Sequence, residues 1–197
     1  MQTPDPLKWM RCTNEEVDYP GLAYLCKTDQ LIVVDRQDAY HPLLGKHEAA
    51  YTILNQSGEK VFLATQKKGC RQFSVRIYNY HGNEVMNLVR PKKLFLKKVF
   101  VWAPPGNFVG SVEGSKWFFQ SKFRVKNSHG IEVCKLVRQK LFSITYDVIV
   151  RKKKVGLVMK NWVVATLLNV NTFGISFPVE MSVADKAVLL GGCYLIS

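Results

Sequence analysis

From residue 51 onward, apolar side chains recur at every second position in short paired runs: 51–54 with 61–64, 73–78 with 85–89, and 123–126 with 133–137. A period of two places alternate side chains on opposite faces of a strand. Between the members of each pair stands an Asn-x-x-Gly tetrapeptide, at Asn55 to Gly58, Asn79 to Gly82 and Asn127 to Gly130. Valine follows three residues on, at Val61, Val85 and Val133, so the unit repeats on a 24-residue grid. Gly106 and Val109 fall on the same grid. Asn tolerates left-handed backbone and Gly carries no Cβ, so each tetrapeptide predicts a hairpin turn.

Arg90-Pro91 and Ala103-Pro104-Pro105-Gly106 break the chain between neighbouring hairpins. Further runs at 31–34, 97–102, 141–150 and 155–160 raise the expected strand count to ten or more. Short strands at this spacing predict a sandwich or a barrel, with little helix before residue 160. Residues 183–196 break the pattern, being apolar on all faces after Lys186. A helix of that kind is buried in protein or in lipid. Its apolar run is about half the roughly 20 residues that a bilayer span needs, so burial inside the domain is expected.

Composition changes this picture at one point. The 197 residues include 47% hydrophobic and 12% aromatic residues, ample for a core, but the net charge is +13. Such a surplus favours polyanions, meaning nucleic acid or an anionic membrane leaflet. Residues 1–18 are polar and mixed in charge, without a secretory apolar region. The five cysteines (Cys12, Cys26, Cys70, Cys134, Cys193) are scattered without metal-ligand spacing, which points to free thiols in a reducing, intracellular compartment.

Six segments, in order, carry a family resemblance: Pro20-Gly-Leu-Ala-Tyr-Leu-Cys-Lys-Thr-Asp-Gln30, Val85-Met-Asn-Leu-Val-Arg-Pro91, Ala103-Pro-Pro-Gly106, Lys160-Asn-Trp162, Phe173-Gly-Ile-Ser-Phe-Pro178 and Lys186-Ala-Val-Leu-Leu-Gly-Gly-Cys193. The chain resembles the phospholipid scramblase family in these segments, as a divergent or shortened member. The resemblance implies a mainly β fold, a tubby-like closed antiparallel barrel of about twelve strands around a buried C-terminal helix. It assigns residues 1–19 to a short polar segment and 20–197 to the barrel domain, with the helix at 183–196. It also implies ATP-independent, Ca²⁺-stimulated, bidirectional movement of phospholipids between leaflets, at the cytoplasmic face of the plasma membrane. The alternative is a non-catalytic module that docks on anionic phospholipid or nucleic acid, with the nucleus as a further location. Neither reading fixes an oligomeric state.

The family's calcium segment maps onto Asn169, Asn171, Phe173, Ile175, Phe177 and Glu180, with Gly174 at the turn position. Phe173, Ile175 and Phe177 can give backbone oxygens only. A hard dication prefers anionic oxygens, and one carboxylate implies weak Ca²⁺ binding. The plainer alternative is a strand end leading into the helix, with Phe173 and Phe177 in the core. For lipid or nucleic-acid contact, two basic groups stand out beyond the isolated pair Lys67 and Lys68: Lys92 and Lys93 with Lys97 and Lys98, and Arg151, Lys152, Lys153 and Lys154. The first alternates with Leu94, Phe95, Leu96 and Phe100, where the resembling family carries acylated cysteines, and fits a peripheral membrane contact. The second predicts a hairpin tip, with phosphate binding or nuclear import as its functional readings. His81 and His129 are expected to be solvated turn residues. Gly106, Gly110 and Gly114 lack the Lys-Ser/Thr that a phosphate loop requires. Neither HExxH nor GxSxG occurs, and no other catalytic constellation is evident.

Overall fold

Each Asn-x-x-Gly tetrapeptide closes a hairpin by the same bonds. At the first, the Gly58 N–H donates to the Asn55 carbonyl and the Asn55 N–H to the Glu59 carbonyl, both at 3.0 Å. Asn55 Oδ1 accepts from the N–H groups of Ser57 and Glu59. Asn79 and Asn127 repeat this set. The closing glycines take φ of 77°, 76° and 77°, a region that L side chains avoid. In the fourth turn Ala103 stands where Asn is expected and Gly106 has φ 93°. The amide has moved to Asn107, whose Nδ2 donates to the Ala103 carbonyl at 3.0 Å. A one-residue register slip accompanies every one of these turns, as in a bulged hairpin.

The computed structural model describes residues 8–11, 19, 21–35, 48–70, 72–92, 97–114, 122–140, 143–161 and 172–196. Within them lie β1 (Gln30–Asp35), β2 (Glu48–Leu54), β3 (Lys60–Gly69), β4 (Gln72–Tyr78), β5 (Glu84–Arg90), β6 (Lys98–Trp102), β7 (Phe108–Gly114), β8 (Lys122–Asn127), β9 (Glu132–Arg138), β10 (Thr145–Val150), β11 (Lys153–Lys160), β12 (Thr172–Ser176) and the helix α1 (Val183–Ile196). Sequential strands pair antiparallel, and β1 pairs with both β2 and β12, so the twelve close into a barrel. The fold is the mainly β barrel with a C-terminal helix that the sequence predicts.

Two features depart from the sequence reading. Strand β7 replaces what the glycines at 110 and 114 disguise. A Cβ at Gly110 would stand 2.3 Å from the Lys126 carbonyl oxygen and 2.7 Å from a Val188 methyl, so this glycine lets strand and helix touch. Lys67 and Lys68 belong to β3, which runs on to Gly69 opposite Gln72. Further upstream, residues 8–10 lie along the start of β3, with Trp9 packed edge-on to Tyr80 at 5.3 Å.

Helix α1 fills the barrel. From Lys186 to Leu195 every residue is buried. Gly191 and Gly192 allow the approach: a Cβ at Gly191 would meet a Val101 methyl at 2.7 Å, and one at Gly192 a Leu136 methyl at 3.0 Å. Lys186 is fully buried, and its Nζ donates to the carbonyls of Leu25 (2.8 Å), Thr28 (2.9 Å) and Val179 (2.6 Å). Those three bonds use all three ammonium donors. They also join the first segment of the resemblance to the last, since Leu25 closes a single 3₁₀ turn (Ala23–Leu25).

Candidate lipid-facing end of the barrel

Because the strands alternate in direction, the barrel has two chemically different ends. One carries the five tight turns, at Asn55, Asn79, Ala103, Asn127 and Arg151, together with the start of α1. The other receives the short β3–β4 connection after Gly69, the longer connections and the last turn of α1. Residues paired across a ladder share a face, and this shows what points into the second, loop end. Lys68 and Arg90 both pair with the buried Phe73, Arg138 with the buried Tyr146, Lys160 with the buried Phe173, and Asp35 with the buried Tyr51. Lys97 lies one residue before the outward Lys98 and two before the fully buried Val99. Five cations and one carboxylate therefore face the mouth among the described residues.

The mouth's electrostatics follow from this crowding. Burial first, then the charges of Arg90 and Arg138, hold the Lys97 ammonium below its ordinary range. Burial lowers the Arg90 guanidinium as well. The Arg138 guanidinium lies 5.2 Å from the Tyr146 ring centre, and its Nε donates to the Tyr146 hydroxyl at 2.9 Å. Tyr51 donates to Gln66 Oε1 at 2.7 Å; burial, and then Asp35, push its phenol up to about 12. The last turn of α1 carries no basic residue of its own, so the barrel wall supplies the cations that its carbonyl end favours.

The predicted basic residues divide between the two ends. Lys92, Lys97 and Lys98 lie at the loop end; Lys93 falls outside the described residues, as do residues 94–96. Lys98 is committed outward, bonded to Glu113, which also binds Lys126 at 2.9 Å. Arg151 and Lys152 form the tip of the β10–β11 hairpin at the opposite end, with φ of 46° and 68°. Lys153 and Lys154 already belong to β11, and Lys154 pairs with Asp147 at 2.7 Å. Strands of six residues span about 20 Å, so the two basic groups cannot meet one flat surface together.

The calcium segment is only partly described, since Asn169 and Asn171 lie outside the described residues. Phe173 and Ile175 stand in β12, which is paired on one side with β1 and on the other with β11. Their carbonyls are therefore within ladders rather than on a loop. Phe177 is buried and its N–H donates to the Asp29 carbonyl at 2.8 Å. Glu180 follows in the turn before α1 and lines a cleft of about 310 Å³ with Asp185, Cys134 and Met181. Within the described part of the segment Glu180 is the one carboxylate, and Asp185 stands with it in the cleft.

Sequence reasoning missed Arg90, Arg138, Lys160 and Asp35. The signal was present: the inward positions Met86 and Leu88 continue to Arg90, and Cys134 and Leu136 continue to Arg138. Trp102 lies on the outer wall, its ring 5.8 Å from Phe100 and 5.9 Å from Phe108.

Comparison with known proteins agrees with this architecture. The chain is 29% identical to phospholipid scramblase 2 of Bos taurus over 98% of its length and 73% of the relative's. It is 32% identical to phospholipid scramblase 1 of Mus musculus over 98% of its length and 67% of the relative's. In fold it resembles the X-ray structure of a protein from Arabidopsis thaliana, with a TM-score of 0.53 at 13% identity, over 87% of this chain and 93% of that one. Residues 11–197 match the family described as Scramblase, and the chain belongs to that family.

Proposed function

We propose that this protein acts on phospholipid bilayers as a scramblase-family protein and meets the anionic leaflet with the loop end of its barrel. The observation that carries this reading is the separation of the two ends, one closed by tight turns and the other ringed by Lys68, Lys92, Arg90, Lys97, Arg138 and Lys160. Anionic headgroups attract such a surface by about 1 kcal/mol per basic residue near the membrane. No helix of the described residues is long and apolar enough to cross a membrane. The outer wall supports a peripheral pose as well. Outward positions include Lys122, Arg124, Lys135 and Arg76, where a membrane-spanning barrel carries an apolar band.

ATP-independent movement of lipid between leaflets is the activity the family expectation carries to this chain. Calcium stimulation is its second part, and with Glu180 as the one carboxylate we expect it only at millimolar Ca²⁺. The test is co-sedimentation with phosphatidylserine vesicles across a salt series, beside a labelled-lipid scrambling assay with and without Ca²⁺. Binding that weakens with salt and falls on Lys92→Glu with Lys97→Glu, but not on Arg151→Glu with Lys152→Glu, supports the loop-end pose. Equal loss from both pairs refutes it. Preferential pelleting with DNA would instead favour nucleic acid as the polyanion.

A further inference from the structure

The loop-end mouth holds more than diffuse charge. Beside the end of α1 lies a cleft of about 240 Å³, lined by Gln66, Lys68, Gln72, Phe73, Arg90 and Tyr194. That is below the roughly 300–1,000 Å³ of sites that enclose a whole drug-sized ligand, so it suits one polar group and not a complete lipid. Gln66 is buried and held by Tyr51. The Arg90 Nε is buried and has no hydrogen-bond partner among the described residues. A buried guanidinium donor without an acceptor is costly, and neighbouring Lys97 adds a like charge instead of relieving it. Arg138 differs, because Tyr146 accepts from it and stacks beneath it. The carbonyl end of α1 accounts for positive charge at the mouth in general, but not for an Arg90 donor left unfilled at a cleft.

We infer that this cleft receives a phosphomonoester, the terminal phosphate of an anionic phospholipid headgroup, with Arg90 as its fork and Lys68 and Lys97 as point charges around it. The chemistry matches. A phosphomonoester offers three strong acceptor oxygens and up to two negative charges, and guanidinium recognises such oxygens two at a time. Asp35, beside Lys68 on the β1 side of the cleft, disfavours binding from its side and directs the anion toward Arg90. The source is a lipid and not free phosphate, because the cleft opens at the end that the proposed function turns toward the membrane. This inference rests on that pose.

The experiment compares full-length protein on vesicles containing phosphatidic acid with vesicles containing phosphatidylserine at matched surface charge, with glycerol 3-phosphate as the soluble arm. Wild-type protein should prefer phosphatidic acid by roughly tenfold or more. Arg90→Lys keeps the charge but loses the fork, and should bring the ratio of phosphatidic acid to phosphatidylserine binding down to about one. Arg90→Gln serves as a second variant in case the lysine repacks. Equal binding to both vesicles, or a preference that survives both variants, overturns the phosphate site and leaves the loop-end pose standing. Loss of binding to either vesicle in the wild type overturns the pose itself. Glycerol 3-phosphate binding as tightly as the lipid overturns the choice of source.

Discussion

Arg151 and Lys152 occupy the two positions of a hairpin turn that asks for Asn and Gly. Both have positive φ, 46° and 68°, between Val150 and Lys153, which are paired. That is the geometry of a type I′ turn, in which Asn-Gly is the favoured pair. A residue with a Cβ pays roughly 1–2 kcal/mol in left-handed backbone. Asn at the first position recovers part of that cost. Gly at the second recovers most of it, less the roughly 0.5–1 kcal/mol it loses through unfolded-state entropy. The double substitution Arg151→Asn with Lys152→Gly should therefore stabilise the protein by about 1–2 kcal/mol. Neither side chain enters a bond among the described residues that would offset the gain: both are exposed, and the ion pair to Asp147 belongs to Lys154.

Equilibrium urea unfolding measures this directly, as a higher midpoint at unchanged slope. A thermal midpoint about 2–8 °C higher should accompany it in a chain of this size. Phosphatidylserine binding should stay at its wild-type level, because the tip lies at the end away from the proposed membrane face. No gain in stability, or a loss, would refute the strain argument. A gain accompanied by loss of vesicle binding would show that the strained basic tip is itself a contact.

Three further outcomes follow from single contacts. Gly110→Ala should destabilise by about 3 kcal/mol or more, since its Cβ meets the Lys126 backbone; Gly82→Ala, with open space but φ 76°, should cost only about 1–2 kcal/mol, and urea midpoints separate the two. Lys186→Met should cost about 2–4 kcal/mol by stranding the Leu25, Thr28 and Val179 carbonyls. Burial holds the folded Lys186 below 10.5, so the unfolded chain binds more protons in the window beneath that value. Wild-type stability should then climb as pH rises through that window, and the slope should flatten in the variant. At Glu113 burial alone would raise the carboxyl, but the bonds and charges of Lys98 and Lys126 together hold it below 4.5. Its contribution is present above that value and lost as pH falls through the lower folded one, so Glu113→Gln should cost about 1 kcal/mol near neutral pH and nothing in strong acid.

The hairpins were legible because their chemistry is local. Asn at the first position and Gly at the fourth satisfy the turn's own bonds, and nothing distant has to agree. Strand β7 was not legible, because Gly110 answers to a helix whose contact lies about 80 residues downstream (Val188). The mouth was hidden for a different reason. Alternation was read only while the side chains were apolar, and Arg90 and Arg138 extend the same inward rows past the last apolar residue. Basic runs were conspicuous in the sequence, yet Lys98 and Lys154 are spent on Glu113 and Asp147. Isolated cations brought together by closure matter more, and only closure shows which they are.

The captive helix constrains how lipid can be handled. Fourteen residues of α1 span about 21 Å, short of the roughly 30 Å hydrocarbon core. Withdrawing it would expose Val188, Leu189, Leu190 and Leu195, each worth about 1.5–3 kcal/mol when buried. The sum, about 6–12 kcal/mol, rivals the whole stability of an ordinary domain, before the three Lys186 bonds are broken. In water, leaving the barrel is therefore equivalent to unfolding it, and the proposed function has lipid engaged from the mouth and the outer wall with α1 in place. A tether tests this. Gly191 and Val101 approach closely enough that Gly191→Cys with Val101→Cys can be oxidised to join helix and wall. The oxidised protein should bind phosphatidylserine vesicles and move labelled lipid as the reduced form does. Loss on oxidation, with recovery on reduction, would show that the helix has to come out.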